Sequence, residues 1–186
     1  MKQKLPVKDL LTASYQSQHD AQTALAKHGF GYDPQLSNME NKVFIDPFGK
    51  PHIAYRGSRT LKDFIVNDSL IGLGLGAYAP RVIEGKHIAK MAESKYGQAP
   101  NAYGNSLGGY IAERSGTSGD IVTHNKPVTL HDIGKRIPAN QTDIRTINDP
   151  VSALAITQRH SNPLLQTPAR ENWLAAHSVE NAPVFI

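Results

Sequence analysis

Residues 104–108, GNSLG, match the pattern G-x-S-x-G. In proteins that use this pattern, the serine lies on a sharp turn between a strand and a helix, and small flanking residues let the two elements approach. The sequence predicts a strand up to residue 105 and a helix over 107–115, so the required context is present. The motif predicts Ser106 as a nucleophile, and the alternative is a Gly/Asn/Ser turn without chemistry.

A nucleophilic serine needs a histidine base and an acid that orients it, and after such a turn the acid precedes the histidine in the chain. Asp149 follows the β-type run 144–148 and precedes a proline, which places it in a loop after a predicted strand. Two histidines follow it, His160 and His177. We predict Asp149 as the acid and His177 as the base, with His160 as the alternative base. The alternative for Asp149 is a capping residue in a turn.

Acyl transfer also needs two hydrogen-bond donors for the oxyanion that develops on the substrate. The backbone N–H of Leu107, directly after the nucleophile, is the first candidate. Ser58 is the second, because it follows a predicted strand and can offer both its N–H and its hydroxyl. A capping role for Ser58 at the next helix is compatible with this assignment.

The elements that must position these residues alternate between strands and helices along the chain. The predicted helices are 7–28, 61–68, 80–97, 107–115 and 169–176, and the predicted strands are 42–46, 52–55, 100–105, 121–123 and 144–148. This alternation predicts an α/β fold with a mostly parallel central sheet flanked by helices. We expect one domain over residues 1–186.

Three segments together resemble the class 3 (fungal-type) lipase family: 54–58 (AYRGS), 63–68 (DFIVND) and 104–109 (GNSLGG). The resemblance implies an α/β-hydrolase-like fold and cleavage of carboxylic esters through an acyl-enzyme. It matches Ser58 to the oxyanion residue of the family and Ser106 to its nucleophile.

Other positions agree with the family pattern or depart from it. The string 148–151 (NDPV), which contains Asp149, resembles the acid segment of the family, and His177 resembles its late loop histidine. Asn105 stands where the family usually has His, and Phe64 stands where it usually has Trp.

The apolar, glycine-rich segment 69–79 lies where lipases of this family carry a lid. We expect Leu70, Ile71, Leu73 and Tyr78 to line an acyl pocket or to touch a lipid interface; the alternative is a buried connector. The predicted substrate is a lipid or a small ester, so the predicted activity is that of a lipase, esterase or phospholipase in lipid metabolism. The alternatives are another acyl hydrolase, such as a thioesterase, and a hydrolase-fold binding or structural protein without turnover.

Composition excludes several other classes of function. The chain has 186 residues, no cysteine and a net charge of +4. Disulfides, thiolate metal sites and a cysteine nucleophile are therefore excluded. Basic residues form no block with interleaved aromatics, so no nucleic-acid partner is expected. The scattered histidines predict neither a metal nor another cofactor. We expect a soluble protein with at most transient contact with lipid, because no signal-peptide pattern and no membrane-spanning run is present.

Overall fold

The computed structural model describes residues 5–58 and 79–186 of the chain. Nine strands occur in these residues: β1 (Gly31–Tyr32), β2 (Asn41–Ile45), β3 (Pro51–Tyr55), β4 (Asn101–Asn105), β5 (Ile121–His124), β6 (Arg136–Ile137), β7 (Gln141–Thr146), β8 (Arg159–His160) and β9 (Leu165–Thr167). Seven of them form the main sheet, in the order β1-β2-β3-β4-β5-β7-β9, and β6 pairs separately with β8.

The same residues contain five α-helices: α1 (Val7–Ala13), α2 (Gln18–Ala26), α3 (Ala79–Tyr96), α4 (Leu107–Glu113) and α5 (Trp173–Ala176). Short 3₁₀ helices cover Leu130–Asp132, Ala153–Thr157 and Val179–Asn181. The predicted helix at 61–68 lies outside the described residues. None of the helices described has the length and apolar character needed to cross a membrane.

The direction of the strands brings several loops to one edge of the sheet. The first three strands are antiparallel neighbours, whereas β3, β4, β5, β7 and β9 are parallel. The loops that follow β3, β4, β5 and β7 therefore start at the same edge, where ligands bind in open α/β sheets. The prediction of an α/β fold with a mostly parallel sheet flanked by helices is confirmed.

Helices cover both faces of the main sheet. Each apolar side chain buried in these layers stabilises the fold by about 1.5–3 kcal/mol. One core layer, under α1 and α2, includes Leu10, Leu11, Leu25, Phe44 and Tyr103. The opposite layer, under α3 and α4, includes Ile53, Tyr55, Ile88, Leu107 and Ile111.

The prediction of one continuous helix over 7–28 is wrong, because the chain breaks between α1 and α2. The side chain of Ser17 accepts a hydrogen bond from the N–H of Asp20 and so caps the start of α2. Serine caps compete in this way with helix interiors. The break places Tyr15 in the connection between the helices.

Strand β7 begins and ends earlier than the predicted run 144–148. Its first half carries Gln141 and Asp143, which are buried although they are polar. Buried polar residues do not produce the apolar pattern by which a strand is recognised in a sequence. The strands β1, β6, β8 and β9 have two or three residues each, too few to form a pattern.

Candidate active site

Ser106 lies between β4 and α4 with backbone angles φ 55° and ψ −129°. A positive φ is rare for a residue other than glycine and persists only where the surroundings enforce it. The backbone here is packed too closely for side chains on its neighbours: a Cβ at Gly104 would collide with the backbone of Gly108, and one at Gly108 with the carbonyl of Tyr55. The GNSLG segment therefore forms the strained turn that its sequence predicts.

The three predicted triad positions meet at the carboxyl edge of the sheet. The Nε2 atom of His177 is 2.8 Å from Oγ of Ser106, and its Nδ1 atom is 2.7 Å from Oδ1 of Asp149. An ionised carboxylate can only accept, so the hydrogen between Asp149 and His177 belongs to Nδ1. Nε2 then carries the lone pair that accepts the hydrogen bond from the Ser106 hydroxyl.

Asp149 is held in a tight turn after β7 and is almost completely buried. Its Oδ2 atom accepts hydrogen bonds from the N–H of Ser152 at 2.9 Å and from the Ser152 hydroxyl at 2.5 Å. Burial by itself would raise the pKa of Asp149, but the bonds from His177 and Ser152 hold that pKa below its ordinary value. The carboxyl group therefore stays ionised at neutral pH. Sequence reasoning did not find Ser152.

His177 directly follows α5, and an asparagine fixes the end of that helix. The side-chain amide of Asn125 donates to the carbonyl of Ala176 at 2.9 Å, while its oxygen accepts from the N–H of Thr146 at 2.7 Å. Asn125 has φ 46°, a conformation that asparagine tolerates better than most residues. It joins the ends of β5 and β7 to the helix that carries His177, and sequence reasoning missed it.

The structure does not bring His160, the alternative base, to Ser106. Its Nε2 atom is 2.8 Å from the carbonyl of Ala155, and its Nδ1 atom is 3.5 Å from Oδ2 of Asp143. Asp143 is 2.7 Å from the Nζ atom of Lys126. His160 thus faces a separate group of charged side chains.

We call this group the Glu113 cluster; it comprises Glu113, Lys126, Lys135, Gln141 and Asp143. Lys126 forms ion pairs with both Glu113 and Asp143. Lys135 is 2.6 Å from Glu113, and the Gln141 amide donates to both carboxylates, at 3.0 and 2.8 Å. Each charge in the cluster therefore has a partner of opposite sign.

A cavity of about 180 Å³ opens beside the Ser106 hydroxyl. Its walls are formed by Tyr15, Ser58, Asn105, Ser106, Leu174, His177, Ser178 and Val179. The hydroxyl of Ser58 is buried and has no hydrogen-bond partner in the described parts of the chain. The N–H of Leu107 opens α4, where no intrahelical acceptor exists. Within residues 5–58 and 79–186, two donors without an acceptor thus lie next to the serine.

The four residues predicted to contact substrate, Leu70, Ile71, Leu73 and Tyr78, lie outside the described residues. Over residues 5–58 and 79–186, no group of three or more His, Asp or Glu side chains could hold a metal ion.

No family model and no curated protein matches this chain. Among solved structures, the chain is similar to the Lip2 lipase from Yarrowia lipolytica, with a TM-score of 0.46 and 14% sequence identity. The match covers 76% of this chain and 68% of the lipase chain. At this level of similarity, the chemistry of the site has to be derived from the residues of this chain.

Proposed function

We propose that this chain is a serine hydrolase with an α/β-hydrolase-like fold over its whole length, and that it cleaves carboxylic esters. One observation supports this proposal above all others. Ser106, on a strained turn, His177 and Asp149 form one hydrogen-bonded chain that ends at a cavity. A nucleophile, a base and an orienting acid in this order are what acyl transfer requires.

The proposed reaction follows from where the protons are held. His177 takes the proton of Ser106 as Oγ attacks the ester carbonyl, and Asp149 stabilises the resulting imidazolium. The N–H of Leu107 and the Ser58 segment bind the oxyanion. His177 then gives its proton to the departing alkoxide, which leaves an acyl group on Ser106. Water, deprotonated by the same histidine, releases the acid and restores the serine.

Apolar side chains around the cavity favour an ester with an apolar acyl group. Leu174 and Val179 line the cavity, and Trp173 and Leu174 are each more than two-fifths exposed on the short helix before His177. Exposed large side chains beside a cavity are typical of surfaces that contact an apolar ligand or a lipid interface. We therefore place lipid-like esters, the substrates of lipases, esterases and phospholipases, first among the candidates.

The test is hydrolysis of p-nitrophenyl esters of short and long acyl chains, together with covalent labelling by a fluorophosphonate. We expect the wild type to be active and labelled, and Ser106→Ala to lose labelling and on the order of 10⁴- to 10⁶-fold in kcat. Ser178→Ala is a matched control, because this serine also lines the cavity but makes no bond to His177. The dependence of kcat/KM on chain length separates an esterase from a lipase.

Two outcomes would change the proposal. If the wild type is neither labelled nor active, even with a lipid interface present, the chain is a binding protein that keeps a hydrolase-like site. If it is labelled but prefers thioesters or amides, the serine mechanism stands and the substrate class is wrong.

A further inference from the structure

The cavity has one more polar wall, on the side of the N-terminal helices. Tyr15, in the connection between α1 and α2, reaches across to the carboxyl edge of the sheet and lines the cavity together with Ser106 and Ser58. Its phenol oxygen accepts a hydrogen bond from the Asn105 side chain at 3.1 Å, and Gly57 packs directly against the same oxygen. Tyr15 therefore touches both residues that precede the proposed catalytic serines.

The proton of the Tyr15 hydroxyl has no good acceptor in the described parts of the protein. The hydroxyl donates there to the carbonyl of Asn105 over a long distance, 3.5 Å. Bonds between a hydroxyl and an oxygen are normally 2.5–3.0 Å long. The Asn105 amide already donates to the phenol oxygen, and the hydroxyl proton is therefore the group that Tyr15 can offer to a ligand in the cavity. Burial raises the pKa of Tyr15, and the phenol therefore keeps that proton at any pH at which the site would work.

His124, on the other side of the Asn105 side chain from Tyr15, determines which way the Asn105 amide is oriented. Nδ1 of His124 is 2.8 Å from the side-chain oxygen of Asn105. Burial, assisted by the nearby His177, lowers the pKa of His124 to about 3, so the ring is neutral and carries a single proton. With that proton on Nδ1, the Asn105 oxygen accepts and its NH₂ group faces Tyr15.

The opposite orientation of the Asn105 amide is less favourable. In that orientation the Asn105 NH₂ group would donate to Nδ1 of His124, so the single proton of the ring would have to be on Nε2. Nε2 is buried and has no partner among the described residues. A buried N–H without an acceptor is rarer than an unused lone pair. The network thus leaves the Tyr15 oxygen as an acceptor, and among the described residues its proton has only the long contact with the Asn105 carbonyl.

We propose that the Tyr15 hydroxyl is a third hydrogen-bond donor to the ester carbonyl oxygen during acyl transfer, beside Ser58 and the N–H of Leu107, with Asn105 and His124 as positioning residues. Gly57 allows this arrangement, because a Cβ there would collide with the Tyr15 hydroxyl. The inference rests on the proposed function. Tyr15 keeps its proton throughout and would strengthen its bond as negative charge develops on the substrate oxygen.

The experiment compares Tyr15→Phe with wild type and with Tyr32→Phe. Tyr32 is also partly buried and its ring packs against Phe44, but it does not line the cavity. We measure kcat and KM for a p-nitrophenyl ester, the rate of phosphonylation of Ser106 by a fluorophosphonate, and Tm. For Tyr15→Phe we expect kcat and the phosphonylation rate, both measured well below Tm, to fall together by about 10- to 100-fold with KM nearly unchanged. Tm should fall modestly, because the buried Asn105 amide loses its acceptor. Tyr32→Phe should match the wild type.

A double-mutant cycle tests the positioning roles. If Asn105 acts through Tyr15, Asn105→Ala should lower kcat in the wild-type background and have little further effect in Tyr15→Phe. Additive effects would overturn that part of the inference.

The remaining outcomes separate this inference from the proposed function. If Ser106→Ala is inactive but Tyr15→Phe keeps the wild-type kcat, the donor role is wrong and the hydrolase proposal stands. If KM rises while kcat is unchanged, Tyr15 stabilises the bound substrate and the transition state equally, and the donor role is wrong. If kcat falls only as far as the fraction of folded protein at the assay temperature falls, Tyr15 only stabilises the fold, and the donor role is again wrong. If the wild type itself is neither active nor labelled, both proposals fail.

Discussion

Helix α4 has a group of buried polar side chains at each end, and the two groups use similar residues for different purposes. Ser106 precedes the first residue of the helix and is hydrogen-bonded to His177, which in turn is bonded to Asp149. Glu113, the last residue, pairs with Lys126 in the Glu113 cluster. Both groups contain a carboxylate with a lowered pKa. Burial and a shifted pKa therefore do not by themselves identify a reactive site.

Strain and access distinguish the two groups. Ser106 has a positive φ and lines a cavity beside two donors that have no acceptor among the described residues. In the Glu113 cluster, by contrast, positive and negative charges neutralise one another, and none of its members is among the residues that line that cavity. Groups left with unused bonding capacity at a cavity can act on a ligand, whereas groups that satisfy one another hold elements together.

The largest effect should distinguish the two histidines that follow Asp149. His177→Ala removes the proposed base and should lower kcat by on the order of 10⁴- to 10⁶-fold. His160→Ala, in contact with the Glu113 cluster, should leave kcat within about threefold of the wild type, because it touches neither Ser106 nor Asp149. Ester hydrolysis by both variants is the measurement. A large loss of kcat in His160→Ala with an unchanged Tm would show that His160, too, takes part in the reaction, and the distinction between the two histidines would be wrong.

The next effect is on stability. Glu113→Gln leaves the buried Lys126 with one carboxylate instead of two and should lower the free energy of unfolding by about 3 kcal/mol. Below the melting transition, kcat should stay close to that of the wild type. Urea unfolding followed by circular dichroism measures the change, and Glu93→Gln, at an exposed position on α3, is the matched control. An equally stable Glu113→Gln protein would show that the cluster contributes little to the fold.

The smallest effect is a difference in pH dependence. Burial alone would raise the pKa of Glu113, but Lys126 and Lys135 lower it from 4.5 to about 2 in the folded protein. Since the folded pKa is the lower one, the stabilisation by Glu113 is complete above about pH 4.5 and is lost as the pH falls toward 2. The difference in unfolding free energy between wild type and Glu113→Gln should shrink over that range. A difference that does not change with pH would contradict this assignment.

The elements that could be predicted from the sequence are those encoded by local patterns. The GNSLG turn, the strands β2 and β3, and the long helix α3 need only neighbouring residues to be recognised. Strand β7 and the break after α1 are harder to predict from the sequence. Gln141 in β7 is polar and binds Glu113, which lies far away in the chain, and Ser17 caps α2 instead of continuing α1. Asn125, Ser152 and Tyr15 carry no motif at all, so their positions beside the site could not be predicted.

The sequence by itself determined the order Ser106, Asp149, His177 and the glycines that make the turn at Ser106 possible. These are properties of chain order and of local backbone sterics. Only the tertiary structure decided that His177 rather than His160 meets Ser106, and that Tyr15 joins the cavity wall. Contacts between residues far apart in the chain depend on how parallel strands align their loops at one edge, which no local pattern encodes.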